Sequence, residues 1–533
     1  MDAVGARTAL RAGRWHEAAA ALSALAAESD EPGHHEDLAQ AAWWLDDAEQ
    51  ALGAREAAYR GYRARADLRG AVRTAAALGY DSVLFGAGVA VGRGWLERAA
   101  DLLDGRTDVP EAGWLAVRRA ELALAVDHDA AAALDAATAA QRVAHDTADG
   151  DLAIVAHALA GLARVRLGEV TEGMALLDAA SAAATAGDVE DLMWMGKICC
   201  WLIVACQEAH DLDRAREWCV RVEEMCARRD LAPLFLVCRT QYAAVLLAQG
   251  EVTEAESSLT DVLQRSEHSR RGSRLEAVVQ LGELRRRQGR LADAGALLRQ
   301  GRLHPGALTG LAQVRLAEGD ASGAWSIVSE LLDWLPDHQL EQVDALAVAV
   351  AAGLAAGHVD EARQAAARLG ALAERVGTDF LRGSAAAAEA RLLGPQEAVS
   401  RWRAAVRHLH DARLPFDEAE CRLELAETLL ALGDGSGARE HAAAALETLV
   451  PLGAGRDVER ARAILARGAT GPLTARQAEV LRLLARGLTN AEIGVALQLS
   501  AHTVHRHVAN IYGVLGLSSR AAAATYAAGR GLT

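Results

Sequence analysis

Lysine is all but missing from this chain. Of its 56 basic residues, 55 are arginine and only Lys197 is lysine. Aromatic residues make up 4%, proline supplies nine positions and cysteine seven. The longest apolar run is the nine residues Ile198 to Cys206. Each scarcity excludes something. A phosphate-binding P-loop needs G-x-x-x-x-G-K-[ST], but around Lys197 the glycine and hydroxyl positions hold Asp191 and Ile198. Receiver domains, lysine Schiff-base enzymes and protein kinases fail for want of a suitably placed lysine. A nine-residue apolar run is far short of the roughly 20 residues a membrane-spanning helix needs. Few aromatic and β-branched residues argue against extensive sheet. The N-terminus lacks a basic-then-apolar signal pattern, so a cytoplasmic location with reduced thiols is expected. His34, His35, His145, His157, His408 and His410 show no metal-ligand spacing, and no G-x-S-x-G elbow occurs. The expectation is therefore no enzyme, no cofactor and no metal.

What is abundant is alanine, about 120 of 533 residues, together with Leu, Arg and Glu, the best helix formers. One phrase recurs: Gly or a polar turn residue, four residues, then Ala. It reads Gly13…Ala18, Gly53…Ala58, Gly94…Ala99, His128…Ala133, Gly168…Gly173, His210…Ala215, Gly250…Ala255, Gly289…Ala294, Gly319…Ala324, Gly357…Ala362 and Gly433…Ala438, with Gly394…Ala398 as a shortened copy. Most copies lie about 40 residues apart. Each predicts a helical hairpin. The glycine ends one helix in the left-handed conformation, an acid such as Glu254, Asp293 or Glu361 favours the next helix dipole, and the alanine permits close approach. The pattern resembles tetratricopeptide-type repeats with a lengthened period, as in the degenerate solenoids of large bacterial transcription activators. About twelve hairpins over residues 1–467 would form an all-α superhelix. Its concave surface would suit a protein, peptide or small-molecule effector, a mere spacer being the plainer reading.

One segment of the body differs. Between Leu192 and Cys238 lie Cys199, Cys200, Cys206, Cys219, Cys226 and Cys238, three tryptophans and the lone lysine. Cys199/Cys206 and Cys219/Cys226 are each seven apart, on one helix face, as core packing would have it. A sharper reading makes Met193, Trp194, Lys197 and Trp201 an effector pocket.

The net charge of −16 is unevenly spread. Residues 471–533 carry six arginines and two glutamates, a net of +4, which leaves −20 on the rest. A short Gly/Pro linker, 468–472, separates the two. Beyond it, Thr474-x-x-Gln477 and Thr489-x-x-Glu492 read as capping boxes, Ser500 as a third helix cap, and Gly487 and Gly516 as helix ends. Val504, Val508, Ile511 and Leu515 form one apolar stripe, set to pack on Ile493 and Leu497. The opposite side shows His502, Thr503, His505, Arg506, Ala509 and Asn510. A short helix, a tight turn and a second helix with a polar outer face is the helix-turn-helix design, and Arg and Asn can read base edges in a major groove.

At these residues the segment 473–533 resembles the LuxR-type DNA-binding domain (NarL/FixJ-like). Leu473, Thr474, Arg476, Glu479, Val480, Leu481, Gly487, Thr489, Asn490, Glu492, Ile493, Leu497, Ser500, Thr503, Val504, His507, Ile511, Leu515, Gly516, Ser519 and Arg520 match its pattern. The resemblance implies a four-helix domain that binds double-stranded DNA as a dimer over an inverted repeat. Thr503, His505, Arg506 and Ala509 would face the groove, and Ser519 to Ala528 would pair two subunits. The candidate DNA-contacting set is Thr489, Asn490, Ser500, His502, Thr503, His505, Arg506, Ala509, Asn510 and Arg520. Basic residues of the family are lost at His505, at Ala491 and at the pair Gly513-Val514. Weak binding with a shallow salt dependence is therefore expected, with His505 gripping better when protonated. The whole then reads as a transcription regulator, an acidic sensor (1–467) controlling a small basic reader (473–533), with charge masking as a means of control. A scaffold whose tail only dimerises is the alternative.

Overall fold

The computed structural model describes the chain except residues 230–231, 268–271, 302, 338, 471–472, 530–531 and 533. Side chains are also left undescribed at 223, 226–229, 232–235, 272–273, 468–470 and 475. Among the described residues every regular element is a helix, as the alanine-rich, aromatic-poor composition predicts. Two compact units result. The first comprises Met1–Arg286 and Arg290–Leu381, the second Arg287–Gly289 and Arg382–Thr533. Their boundary falls inside the helix Asp379–Leu392. The helix Gly455–Thr470 continues through positions 468–470 of the expected linker, because alanine and arginine sustain it almost to Pro472.

Within each unit successive helices pack as antiparallel neighbours, and the recurring alanine sits at the contact. Ala18, Ala58, Ala99, Ala133, Ala215, Ala255, Ala294, Ala324, Ala362 and Ala438 are all fully buried. Where the phrase has Gly173, even a methyl group is too large. A Cβ there would lie 2.6 Å from the carbonyl oxygen of Gly161 on the neighbouring helix. The turn prediction also holds at most copies. Gly13, Gly168, Gly250, Gly289, Gly319, Gly357 and Gly433 have positive φ, and His128 and His210 take the left-handed conformation despite their side chains. Three copies need correction. Gly53 and Gly94 lie inside the helices Ala48–Ala64 and Val89–Leu103, and Gly394 is an extended N-cap. The turn ahead of Ala48 falls instead at Asp46, because Asp47 caps the next helix by accepting from the Gln50 amide.

The first unit also closes on itself over long sequence distances. His128, which follows the π-helical segment Ala123–Asp127, meets Glu341. The His210 ring stacks on Phe380 with centroids 3.4 Å apart. Arg166 forks onto Glu208 and gives a further hydrogen bond to the Leu124 carbonyl.

The Leu192–Ala209 helix is long and apolar enough, by composition, to cross a membrane, yet 72% of its apolar window is buried inside this unit. It is packed as a core helix.

Candidate nucleic-acid interface

Four helices build the C-terminal module: Ala475–Ala485, Asn490–Leu497, Ala501–Leu515 and Arg520–Gly529. Both expected capping boxes form. The Thr474 amide donates to Gln477 Oε1 at 2.8 Å and the Gln477 amide to Thr474 Oγ1 at 3.3 Å. Thr489 and Glu492 repeat this at 2.7 and 3.3 Å. Hydrogen bonds from the Thr489 amide and hydroxyl hold the Glu492 carboxyl below its usual range. Ser500 caps the third helix by accepting from the Thr503 amide at 3.0 Å, and the two hydroxyls lie 2.8 Å apart. Gln498 turns the chain in the left-handed conformation, between helices two and three.

The core is the expected stripe. Val504, Val508 and Ile511 are buried with Ile493, Val480, Leu481 and Leu484, and Leu497 and Leu515 pack at its margin. Sequence reasoning missed Gly494. It is buried at the tight turn, and a Cβ there would stand 2.7 Å from the Leu499 carbonyl oxygen. This close approach fixes the angle at which the third helix leaves the second.

The ten candidate contact residues separate into two groups. His502, His505, Arg506, Ala509 and Asn510 are exposed on the side of Ala501–Leu515 away from the core. The others are engaged in holding the module together. Thr489, Ser500 and Thr503 serve caps. Arg520 donates to Asn490 Oδ1 at 3.2 Å and to the Leu488 carbonyl, so this pair ties the fourth helix to the start of the second. Arg476 similarly reaches the Leu497 carbonyl while paired with Glu479 at 2.6 Å. In sequence both arginines read as contact residue or charge. Only the folded path reveals the carbonyls they satisfy.

The four residues read as an effector pocket lie in the first unit. Met193, Trp194 and Lys197 are buried and Trp201 is half-buried. The Lys197 ammonium is bound by Glu121 and lies 3.6 Å from the Tyr80 ring centroid. Arg118 pairs with the same Glu121 at 2.7 Å and lies over both Tyr80 and Trp194. Arg55 binds Asp81, whose Oδ1 has no hydrogen-bond partner among the described residues. Burial pushes Lys197 down to about 8, against the opposing pull of Glu121. The lone lysine thus belongs to a packed cation–carboxylate–aromatic cluster. Cys199, Cys200, Cys206, Cys219 and Cys238 are buried thiols, and Cys226 lies outside the described side chains. Burial pushes the Cys206 thiol up, away from the reactive thiolate.

A capped four-helix domain with a tight turn before an exposed polar helix face belongs to the helix-turn-helix class. Residues 471–527 match the family described as bacterial regulatory proteins, luxR family, and the chain carries a luxR-family domain at its C-terminus. The transcriptional regulatory protein LiaR of Bacillus subtilis (strain 168) is 47% identical over 55 residues, 10% of this chain and 26% of LiaR. The probable transcriptional regulatory protein SgaR of Hyphomicrobium methylovorum is 47% identical over 51 residues, 10% and 24% of the two chains. The match thus spans about a quarter of each relative. Two solved structures align over more of the chain, each at 12% identity. An APC/C hetero-tetramer Cut9-Hcn1 structure aligns with 86% of this chain and 95% of its own, at a TM-score of 0.35. A Rap protein complexed with competence and sporulation factor aligns with 75% and 99%, at 0.38. Similarity at that level identifies neither function nor partner.

Proposed function

We propose that the chain is a DNA-binding transcription regulator whose helical-repeat body, residues 1–467, senses an effector and controls the reader at 473–533. The exposed face of Ala501–Leu515 carries this reading. It presents Arg506 and Asn510, which have the chemistry to read guanine and adenine edges, from a helix whose opposite face is locked into the core. Dimerisation over an inverted repeat would double the contact set, and the luxR-family match supports that geometry. The acidic body supplies a means of restraint, since its charge opposes that of the reader. Protein, peptide and small molecules are all open to a helical-repeat surface as effectors.

The test is fluorescence anisotropy of the full chain on the DNA upstream of its own gene, beside the same measurement on Arg506→Ala and Asn510→Ala. Specific binding by the wild type, weakened about tenfold by either change, is expected. Absence of binding in low salt, together with a stable dimer, would favour the adaptor reading instead. Masking is tested by the isolated 471–533 segment, which should bind more tightly than the full chain.

A further inference from the structure

A second concentration of positive charge lies outside the reader, in the second unit. The helices Pro395–Asp411, Pro415–Ala431 and Gly435–Leu449 form an open pocket of about 260 Å³ lined by Arg403, Val406, Arg407, His410, Arg422 and His441. Three guanidinium groups and two imidazoles therefore converge in a chain whose net charge is −16. The Glu418 carboxylate answers two of them. Glu418 takes the Arg422 fork at 2.6 and 2.7 Å and stands 3.1 Å from His410 Nδ1. Arg403 and Arg407, one turn apart and exposed, make no ion pair among the described residues. Like charges held this close repel one another unless an anion joins them.

We propose that this cavity binds a phosphoryl-type oxyanion, either inorganic phosphate or the phosphoryl end of a small metabolite, with Arg403 and Arg407 as its principal clamps. The donors decide the chemistry. Two unpaired guanidinium forks offer more N–H groups than a single carboxylate could accept, whereas a phosphoryl group presents three oxygens and up to two charges. His441 is arranged to help. Its Nδ1 lies 3.4 Å from the Arg422 guanidinium, so Nδ1 is the acceptor and Nε2 carries the proton. Burial and the charges of Arg422 and Arg403 hold its pKa below the ordinary value, against the weaker opposing pull of Glu440 and Asp434. A bound dianion would reverse that balance. Val406 gives the cavity one apolar wall, and its volume leaves room beyond a phosphate for the body of a small molecule. None of the residues lining the site belongs to the reader at 473–533, so its test is made without DNA.

The experiment is isothermal titration of the full chain, without DNA, with inorganic phosphate and separately with glycerol 3-phosphate, at constant chloride. The expected result is saturable 1:1 binding that Arg403→Ala/Arg407→Ala weakens at least tenfold, with unchanged circular dichroism. Equal affinity for both probes identifies free phosphate as the ligand class, and preference for the ester identifies a phosphorylated metabolite. Two results would overturn the proposal. One is no saturable heat with either probe, even if the double variant binds duplex DNA more weakly, which would make the cavity part of the DNA face. The other is phosphate binding that the double variant leaves intact.

Discussion

His128 Nδ1 lies 2.7 Å from Glu341 Oε1, across 213 positions of sequence. The two come from opposite ends of a long run of hairpins and meet because that run curves back on itself within the first unit. Burial by itself would raise the Glu341 pKa. The hydrogen bond from His128 and the charges of Arg166, His128 and His304 outweigh burial and hold the carboxyl below its usual range. Trp334 packs edge-on against the same imidazole, with ring centroids 4.9 Å apart.

This contact is expected to be energetically coupled. Glu341→Gln keeps the shape and removes the charge, and should cost about 2–3 kcal/mol in urea unfolding. A double-mutant cycle with His128→Ala should return a coupling of about 1 kcal/mol or more. Additive single effects would show that the two residues are neighbours without being partners.

A second pair gives stability a pH dependence. His304 Nε2 lies 2.7 Å from Glu276 Oε2. Burial opposes ionisation of both, yet mutual attraction prevails, raising the histidine above its ordinary 6.5 and lowering the carboxyl below its ordinary 4.5. The stabilisation from the pair is therefore full between pH 4.5 and 6.5. It fades as pH rises through the raised histidine value and as pH falls through the lowered carboxyl value. The stability difference between wild type and Glu276→Gln should be largest in that window and shrink toward pH 8. A difference independent of pH would contradict the assignment.

Arg506 and Arg520 should fail in different ways. Arg506 is exposed and free to meet DNA, so Arg506→Ala should weaken binding, and the salt slope should fall by about 1 if it contacts a phosphate. Arg520 holds Asn490 and the Leu488 carbonyl, so Arg520→Ala should lower the melting temperature of the module and leave the salt slope of the remaining folded protein unchanged. Anisotropy over a salt series, beside thermal unfolding, separates the two.

Gly494→Ala is a one-carbon test of the tight turn. Its Cβ would press on the Leu499 carbonyl from 2.7 Å, so the third helix must shift, at a cost of about 1–3 kcal/mol. DNA affinity should fall even though no contact residue changes. Unaltered stability and affinity would mean that the turn has slack.

Lys197 offers a chemical readout of the first unit, because it is the sole lysine. Buried against Glu121 and Tyr80, it should react with an amine reagent at least about tenfold more slowly in the folded chain than in urea, read by peptide mass mapping. Equal rates would place Lys197 at the surface. Its depressed pKa of about 8 also means that stability should rise with pH from there toward the ordinary lysine value of 10.5.

Much of this molecule is written locally. The recurring alanine, the positive-φ glycines and both capping boxes depend on residues within one hairpin turn or one helical turn, so spacing alone reveals them. Gly53 and Gly94 show the limit. An unconstrained glycine inside a helix looks in sequence like one that ends it. Here the helix start is set ahead of Gly53 by the Asp47 cap and ahead of Gly94 by Gly88 at positive φ. Lys197 shows the same limit for sites. Its composition suggested a pocket, but its carboxylate partner lies 76 residues earlier, on the helix Pro110–Leu122.

Helix propensity, capping and stripe periodicity act over a few residues, so residue order alone shows that the chain is helical, that its hairpins recur, and that residues 473–533 carry luxR-type caps and an apolar stripe. Which arginines bind carbonyls, which cations line one pocket and which histidine meets which glutamate follow from the folded path. Those outcomes depend on how the hairpins curve in space, and the small packing angles that set the curve are summed over hundreds of residues.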